Sequence, residues 1–546
     1  MKKTLKTWLK TSLNRHFPGT PVQPNRSLTL EVAGNERFSF QLGMRRVEAE
    51  NEPVPRPVEV RVAVRGPKEW KLRVRRIGYV PVPHHNWQAP PGEIDGFDRI
   101  PGYVPDPLFD GDTLRLPARE THAFWISVIP RRKIKPGSHR ISVAVYAEGK
   151  LLRRHVFTVN VADVTLRQRR GFRVSNWFYC DALLDYYGME AFEPRFWEML
   201  PRYLKNLSEH GQDTLYVPLL TPSLDGVKRP TQLLRVFREG KDRYRFDWRD
   251  VRRFLKTARN CGLRYFEWPH LFTQWGVERA VRVYEGQGKE EKLLWSAGEA
   301  ATSPVYRRFL EQLLPALHRF LVKEGLAGRS FFHLSDEPRG HHLDNYRAAR
   351  SMVKEIAPWM NIMDAISDIN FAREGLTDTP VAAINHALPF VEEGIQGWCY
   401  YCCSQRGSHV TRLLDTPLPK IRMNGWLFYR WPFQGFLHWG ANYWYRSQTR
   451  ELIDPFTVHD GHGWPNWPYG DTFMLYPGPE GPNDSLRWEI FAESLQDYAL
   501  LQAAGVDRED RLLASLASFT DFPKSETWIR SARRRLLRRA EKRGCC

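Results

Sequence analysis

The stretch Phe331-Phe332-His333-Leu334-Ser335-Asp336-Glu337-Pro338 is a short apolar run that ends in two adjacent carboxylates and a proline. A run of this length stopped by proline is typical of a buried strand reaching its end. Two neighbouring acids raise the pKa of at least one of them. A carboxyl group that is still protonated near neutral pH can act as a general acid. The simpler alternative is a strand that ends in a solvated Asp-Glu turn.

Residues 168–505, which surround this stretch, alternate strand-length apolar runs with longer segments of helical periodicity. The eight candidate strands are 172–179, 214–220, 263–267, 330–334, 361–366, 381–385, 397–401 and 435–439. The candidate helices are 194–209, 250–260, 304–324, 343–357 and 485–503. This alternation predicts a (β/α)8, TIM-like barrel, in which chemistry lies at the carboxyl ends of the strands. Asp336 and Glu337 would then end the fourth strand.

The chain outside this barrel is predicted to form three further parts. Residues 25–167 contain short runs of alternating apolar and polar residues, such as Val58-Glu59-Val60-Arg61-Val62, punctuated by Pro and Gly. Many short alternating strands without helical stretches indicate a β-sandwich. Residues 1–24 are a basic N-terminal segment, and residues 506–546 are a basic helical tail. The predicted fold class is therefore multidomain, β followed by α/β.

The net charge of +19 lies mainly at the two ends of the chain. Residues 1–16 carry five basic residues and no acidic ones, and residues 524–546 carry nine basic and two acidic residues. In the tail, apolar residues recur at helical spacing, which predicts a helix that docks by one face and turns its arginines outward. Such a face could meet an anionic surface or polymer, or could simply be solvated. No nucleic-acid-binding motif is present.

The seven cysteines are scattered and odd in number, which excludes a disulfide framework. Cys399 and Cys402 have metal-ligand spacing, but no second paired cluster follows at zinc-finger distance. We therefore expect buried, inert thiols, and neither a metal nor a cofactor. The sequence contains no uninterrupted run of 18 apolar residues, so it predicts no membrane span. The first ten residues lack the apolar stretch of a secretory signal, which predicts a cytoplasmic protein.

Aromatic residues cluster with polar ones where the predicted strands end. Aromatic faces beside hydrogen-bonding side chains suit sugar rings, which have apolar faces and polar rims. We therefore expect a carbohydrate, for which an anionic glycan is one candidate, as the partner of this site. The predicted substrate-binding residues are Asn176, Trp177, Asp181, His270, Trp275, His333, Asp364, Tyr400, Tyr401, Trp426, Trp439, Asn442, Trp444 and Asp471. For Tyr400 and Tyr401, strand alternation lets only one side chain point inward.

Several of these motifs resemble glycoside hydrolase family 123, whose catalytic domain was formerly a domain of unknown function. The motifs are His333 through Pro338, Phe266 through Gly276, Trp398 through Cys403, Gly435 through Gly440, Gly470-Asp471 with Tyr476-Pro477-Gly478, and Ser485-Leu486-Arg487. Tyr103 through Leu108 resembles the end of the N-terminal domain of that family. The resemblance covers nearly all of residues 25–503.

The resemblance implies a retaining exo-β-N-acetylgalactosaminidase that works by substrate-assisted catalysis, as the similar His-x-x-Asp-Glu arrangement does in family 20 β-hexosaminidases. Glu337 would protonate the glycosidic oxygen and later deprotonate water. Asp336 would accept the acetamide N–H and stabilise the oxazolinium charge.

Other functions remain open at this level. An ordinary double-displacement glycosidase would need a second carboxylate, for which Glu267, Asp364 and Asp471 are candidates. A non-catalytic glycan-binding protein would keep the aromatics but could lose the acids. The sequence leaves open the linkage, the aglycone, exo or endo action, the preference for GalNAc over GlcNAc, and the oligomeric state.

Overall fold

The computed structural model describes most of the 546 residues. The described ranges are 5–25, 27–47, 56–86, 88–221, 231–286, 292–446, 449–459, 463–465 and 467–544. Cys545 and Cys546, two of the thiols that we expected to be buried, lie outside them.

The N-terminal region is β-rich, as predicted, and contains two five-stranded sheets. Its strands are β1 (Leu5–Thr11), β2 (Thr29–Ala33), β3 (Phe38–Arg46), β4 (Val58–Arg65), β5 (Trp70–Val82), β6 (Gly102–Asp110), β7 (Thr113–Leu116), β8 (Thr121–Pro130), β9 (Gly137–Ala147) and β10 (Lys150–Ala162). One sheet has the order β1-β3-β8-β5-β6 and the other β2-β10-β9-β4-β7. Alternate residues of the two sheets, such as Val60 and Phe40, share one hydrophobic core, as the period of two predicts.

Strand β1 corrects the assignment of residues 1–24 to a separate basic segment. It pairs antiparallel with β3, with Leu5 opposite Arg46 and Thr11 opposite Phe40. Its side chains at Leu5, Trp8 and Leu9 are buried. The lysines suggested a separate basic segment. They alternate, however, with apolar residues of which Leu5 and Leu9 pack in the core of the β-rich region.

The C-terminal region is α/β. Its parallel strands are β11 (Arg173–Asn176), β12 (Thr214–Tyr216), β15 (Tyr265–Trp268), β18 (Ser330–Phe332), β19 (Val381–Ala383), β20 (Trp398–Tyr400) and β21 (Gly435–His438). Seven of the eight predicted segments thus contain a strand. The seven strands form two parallel sheets, of order β11-β21-β20-β19 and β12-β15-β18. The fifth segment, 361–366, makes isolated parallel bridges, Ile362 to Phe332 of β18 and Ala365 to Val381 of β19.

Further short strands that the sequence analysis did not predict complete the region. A four-stranded sheet contains β13 (Arg235–Arg238), β14 (Tyr244–Asp247), β16 (Tyr284–Glu285) and β17 (Lys292–Leu293), and a hairpin contains β22 (Tyr476–Gly478) and β23 (Gly481–Asn483). Arginines flank or interrupt β13 and β14, so neither forms the kind of apolar run from which the other strands were predicted.

The helices follow the predicted spans closely where those spans are long. They are α1 (Cys180–Tyr187), α2 (Pro194–Glu209), α3 (Arg249–Asn260), α4 (Pro304–Lys323), α5 (Leu343–Ile356), α6 (Ile369–Arg373), α7 (Ala387–Glu392), α8 (Leu418–Arg422), α9 (Asn424–Arg430), α10 (Leu486–Ala503) and α11 (Glu526–Lys542). Ser303, Ser485 and Ser525 cap α4, α10 and α11, each accepting a hydrogen bond from a backbone N–H of the first turn.

Helix α10 is buried on nearly all sides and carries charged residues into the interior. Arg487 donates to both carboxylate oxygens of Asp106 on β6, at 2.9–3.1 Å, and neither side chain is exposed. Burial opposes ionisation of Asp106, but the charge and hydrogen bonds of Arg487 outweigh it and lower the pKa of that carboxyl. This pair joins the β-rich region to the α/β region.

Helix α11 docks by its apolar face, as predicted, but one of its arginines points inward. Ile529, Leu536 and Leu537 are buried. Arg533 is also buried and forms ion pairs with Asp497 of α10 and Glu36. The expectation that all the arginines face solvent was therefore wrong at Arg533, because its guanidinium pairs with two buried carboxylates.

No helix within the described ranges is both long and apolar enough to cross a membrane.

The Asp106–Arg487 pair yields a stability prediction. Asp106→Ala should lower the free energy of unfolding by about 3–5 kcal/mol, because it leaves the Arg487 guanidinium buried without its charge partner. The matched control is Asp110→Ala on the same strand, which removes a 65% exposed carboxylate paired with Arg73 and should cost at most about 1 kcal/mol. Urea denaturation of both variants measures the difference, and equal losses would contradict the proposed weight of the buried pair.

Candidate active site

A pocket of about 690 Å³, including the open space at its mouth, lies where the strands of the α/β region end. The pocket is lined by Trp177, Gln274, Trp275, Asp336, Glu337, Ala365, Tyr400, Cys402, Cys403, Leu437, Trp439, Tyr443 and Trp467. Both predicted catalytic residues and four of the predicted substrate-binding residues are thus brought together.

The acid pair is held by the backbone on both sides. Asp336 accepts a hydrogen bond at its carbonyl from the N–H of Trp275, and the N–H of Glu337 donates to the carbonyl of Ala365. Glu337 has a φ of +45° and Trp275 a φ of +65°. A side-chain-bearing residue in this region costs about 1–3 kcal/mol and tends to mark functional sites. The backbone conformation that places the two carboxyl groups at the pocket is therefore unfavourable by itself, and the surrounding structure stabilises it.

The carboxyl group of Asp336 has a pKa well above its ordinary range. Burial is the main cause, and the negative charge of Glu337 adds to it, whereas His333 acts in the opposite direction. The side chain is half-buried at the pocket wall. The protonated form of Asp336 is therefore favoured more strongly than that of an exposed aspartate.

Tyr400 fixes the side chain of Glu337. Its hydroxyl donates a hydrogen bond to Glu337 Oε1 at 2.5 Å. Burial, followed by the charge of Glu337, raises the pKa of the tyrosine hydroxyl, so it stays a donor. The neighbouring Tyr401 points the other way, where its hydroxyl donates to Asn424 in the core. Strand alternation thus places Tyr400, and not Tyr401, at the pocket.

His333 lies below the pair, buried between two carboxylates. Its Nε2 is 3.1 Å from Glu267 Oε2, and its Nδ1 is 3.5 Å from Asp364 Oδ1. Burial alone would lower the pKa of His333, but the hydrogen bonds and charges of Asp364 and Glu267 raise it to about 9. The imidazole is therefore a cation at neutral pH. His270 stacks on it with a centroid distance of 4.7 Å, and burial holds the pKa of His270 well below its usual range.

Each carboxylate beside His333 has a second partner. Glu267 accepts the indole N–H of Trp177 at 2.7 Å, which orients one wall of the pocket. Asp364 accepts the hydroxyl of Tyr346 at 2.7 Å and the backbone N–H of Leu334 at 2.8 Å. Both carboxylates are fully buried. They support the site from behind instead of contacting a ligand.

Asp471 supports the opposite wall. Its Oδ2 accepts the indole N–H groups of Trp439 at 2.8 Å and Trp467 at 3.1 Å. His438 lies 3.4 Å from its other oxygen. The two indoles line the pocket, whereas Asp471 itself does not. Its predicted role as a substrate ligand is therefore corrected to that of a positioning residue.

The structure places the remaining predicted residues away from the pocket lining. Asn176 bonds to Gln212 and Arg412, and Asn442 bonds to the backbone of Tyr179. Asp181 is buried in α1.

Trp426 and Trp444 are corrections, because both are fully buried core residues. Trp426 donates to Asp497 of α10, and Trp444 donates to the carbonyl of Leu475. Each indole N–H is thus satisfied inside the fold, and neither ring can meet a sugar.

Several pocket residues were not predicted. They are Gln274, Ala365, Cys402, Cys403, Leu437, Tyr443 and Trp467. Gln274, Cys402, Cys403 and Leu437 lie within motifs that carried the family resemblance, which was a usable signal. Trp467 follows no predicted strand, and it reaches the site through contacts that include Asp471 and the ring of Trp439.

One group of three possible metal ligands that lie close to one another exists within the described residues, and it lies outside the pocket. His210, Asp484 and Glu489 have ligand atoms within 4.8 Å of one another. Arg75 forms ion pairs with both carboxylates, and Arg37 pairs with Glu489. The positive charges of these guanidiniums occupy the place that a cation would take, so the cluster is an ion-pair network.

Residues 177–504 match the sequence profile described as the glycoside hydrolase 123 catalytic domain. This match spans more than half of the chain. The chain belongs to glycoside hydrolase family 123. It is therefore a glycoside hydrolase, and the resemblance seen in its motifs is confirmed.

Solved structures agree with this assignment at the level of the fold. A family 123 glycoside hydrolase from Clostridium perfringens, studied for glycolipid glycan hydrolysis, superposes with a TM-score of 0.71. The two chains are 14% identical, and the match covers 99% of this chain and 97% of the other. A family 39 glycoside hydrolase from Bacteroides cellulosilyticus WH2 superposes much less well, with a TM-score of 0.34 at 8% identity. That match covers 88% of this chain and 83% of the other. No curated protein matches the chain.

In this family 123 chain, the carboxylates that line the pocket are those of Asp336 and Glu337, as far as the described residues show. The three residues that we considered as an opposing nucleophile are all engaged elsewhere. Glu267 and Asp364 flank His333, and Asp471 holds the two indoles. The two carboxyl groups that line the pocket are thus those of adjacent residues.

The buried His333 cation predicts a pH-dependent contribution to stability. A histidine pKa raised from 6.5 to about 9 stabilises the fold fully below about pH 6.5 and loses this effect as the pH rises through about 9. At about 1.4 kcal/mol per pKa unit, the contribution is about 3 kcal/mol. His333→Gln should therefore destabilise the enzyme more at about pH 6 than at about pH 10.

Urea denaturation of both proteins at each pH measures this difference. His341→Gln, which replaces an exposed histidine nearby, is the matched control and should show no such trend. A loss in His333→Gln that is equal at both pH values would contradict a charged His333.

Proposed function

We propose that the chain is a retaining exo-β-N-acetylgalactosaminidase that cleaves terminal β-linked GalNAc through an oxazolinium intermediate. The observation that carries this proposal is the adjacent pair Asp336 and Glu337, which supplies the carboxylates lining the pocket among the described residues. Ordinary retaining glycosidases place two carboxyls about 5 Å apart across the sugar, so that one attacks as nucleophile. Neighbours on one strand end serve one side of the ring, which favours a nucleophile supplied by the substrate.

The 2-acetamido oxygen of the sugar is that nucleophile. Asp336 accepts the acetamide N–H and, once ionised, stabilises the positive charge that develops on the ring formed by attack at C1. As this happens, Glu337 protonates the departing glycosidic oxygen. Glu337 then takes a proton from the water that opens the oxazolinium ring, which restores the starting state.

The hydrogen bond from Tyr400 supports this division of roles. It binds Oε1 of Glu337, which leaves the other carboxyl oxygen for proton transfer. The positive charge of His333 behind the pair lowers the energy of the ionised form of Asp336, as the oxazolinium step requires.

The pocket walls suit an amino sugar. Trp177, Trp439 and Trp467 are held by hydrogen bonds from their indole N–H groups, so their faces are fixed for contact with a ring or an acetamide methyl. Gln274 lines the pocket, and its buried Oε1 has no hydrogen-bond partner within the described part of the chain. It is a ready acceptor for a sugar hydroxyl. The activity named for the Clostridium perfringens enzyme makes a glycolipid glycan the substrate class that we propose.

We also propose that the two parallel sheets are the halves of one (β/α)8 barrel within residues 168–505, preceded by a β-sandwich that consists of residues 25–167 together with β1. Two links support closure. Segment 361–366 bridges β18 to β19. On the other side, Asp213 directly precedes β12, and its N–H donates to the carbonyl of Val174 on β11 at 3.3 Å. Such closure would bring all the strand ends to one rim.

Glu337→Gln tests the acid/base. Turnover of β-GalNAc linkages with poor leaving groups should fall by about 10²–10⁴-fold, because the departing oxygen is no longer protonated. Activated aryl glycosides need little protonation and should lose less in the first step. Single-turnover kinetics on both substrates gives the comparison. An equal loss on both would show that Glu337 supports the structure and does not transfer the proton.

Exchange of the substrate's acetamide tests the nucleophile. An aryl β-galactoside carries a hydroxyl in place of the acetamide of the β-GalNAc substrate. This removes the attacking atom, so the galactoside should be inert and not merely slow. A GalNAc-derived thiazoline, which mimics the cyclised intermediate, should inhibit. Galactoside hydrolysis in the same pocket, together with indifference to the thiazoline, would favour ordinary double displacement.

A further inference from the structure

Cys402 and Cys403 are adjacent cysteines that both line the catalytic pocket beside Glu337 and Tyr400. Their sulphur atoms lie 3.9 Å apart, and both cysteines are free and half-buried. Neither thiol has a role in the hydrolytic steps proposed above.

The other cysteines of the described ranges differ from this pair. Cys180 and Cys399 are buried, and Cys261 lies at the end of α3. Cys399, whose spacing to Cys402 first suggested metal ligands, donates its thiol to the carbonyl of Gly435 at 3.7 Å. Among the described cysteines, the two that line the pocket are thus Cys402 and Cys403.

The sulphur–sulphur distance matches metal coordination. In tetrahedral thiolate sites the metal–sulphur bond is about 2.3 Å, which places two sulphur ligands about 3.8 Å apart. The 3.9 Å separation of Cys402 and Cys403 therefore needs almost no movement to hold one ion. The pocket leaves the remaining coordination positions open to water.

The electrostatic surroundings favour a cation. The carboxyl groups of Asp336 and Glu337 line the same pocket as the two thiols. A carboxylate there attracts a metal ion, whose positive charge compensates both thiolates at once.

We propose that Cys402 and Cys403 form a binding site for a soft divalent metal ion, such as Zn²⁺ or Cd²⁺, and that the bound ion inhibits the enzyme by occupying the pocket. Binding breaks two S–H bonds, forms two sulphur–metal bonds and releases two protons, with no change of oxidation state. The inhibitory effect rests on this pocket being the active site. The binding itself holds whichever glycoside the enzyme cleaves.

The test is a titration of the reduced, metal-free full-length protein with Cd²⁺ alone. One equivalent should produce the ultraviolet thiolate-to-cadmium charge-transfer band, and hydrolysis should fall with the same midpoint. Mg²⁺, a hard cation, should do neither. The absorption band reports binding without reference to any substrate, so a failure of this proposal is distinguishable from a failure of the proposed GalNAc specificity.

Cys402→Ser and Cys403→Ser should each shift the cadmium midpoint by at least the 10–100-fold typical of lost metal-site partners. Rates are normalised to each variant's own metal-free rate. Two matched controls should keep the native midpoint. Cys545→Ser/Cys546→Ser removes the other adjacent pair in the sequence, and Cys261→Ser removes a half-exposed thiol.

Four results would overturn the proposal. The midpoint could stay unchanged in both pocket variants, or move in either control. Inhibition could occur without the charge-transfer band, which would place the ion on carboxylates. The band could form at the pocket pair while hydrolysis continues, which would leave a metal site but refute inhibition.

Discussion

The buried charges of α10 are the constraint on which the rest of the molecule depends. Glu489, Glu493 and Asp497 recur every four residues and so lie along one side of the helix. They pair with Arg75 of β5, Arg422 of α8 and Arg533 of α11, while Arg487 pairs with Asp106 of β6. A buried charge without its partner costs several kcal/mol. The helix can therefore be buried only when the β-rich region, the α/β region and the C-terminal helix are all in place.

The same helix reaches the pocket through one arginine. Besides Asp106, Arg487 donates to the carbonyls of Arg412, Gly470 and Phe473. These bonds fix the loop that carries Asp471. Gly470 has a φ of +93°, and a Cβ there would lie 2.8 Å from the backbone N of Leu414, so only glycine allows this close approach.

Asp471 in turn orients the indoles of Trp439 and Trp467 at the pocket wall. The pairing that joins the two regions thus also sets the shape of the site. A change on β6 could reach the sugar-binding wall by this route without touching it.

On the other side of the pocket, a layer of alternating charge lies under the acid pair. Glu267 and Asp364 flank the His333 cation, and Asp336 and Glu337 lie above it. Burying any one of these charges alone would cost free energy, and the alternation of negative and positive groups offsets that cost. The layer also sets the proton balance of the pair, because His333 favours ionised Asp336 while Glu337 opposes it. The backbone at Glu337, with its positive φ, is held by the hydrogen bond that its N–H donates to the carbonyl of Ala365.

The sequence by itself determined the features that are local along the chain. Strand-length apolar runs predicted the seven parallel strands, and the period of 3.6 predicted the span of α2 at 194–209, because both patterns reflect which residues each element buries. The adjacency of Asp336 and Glu337 after an apolar run predicted a strand-end acid pair. The ordered motifs around this pair were enough to predict the family.

The tertiary structure alone decided which side chains reach the pocket. Tyr400 faces Glu337 whereas Tyr401 faces the core, and Trp439 lines the wall whereas Trp426 and Trp444 are buried. A polar-aromatic cluster looks the same in sequence whether its indole N–H meets a ligand or a buried carboxylate. Only the long-range partner, such as Asp497 for Trp426 or Asp471 for Trp439, separates the two cases, and no local pattern contains that partner.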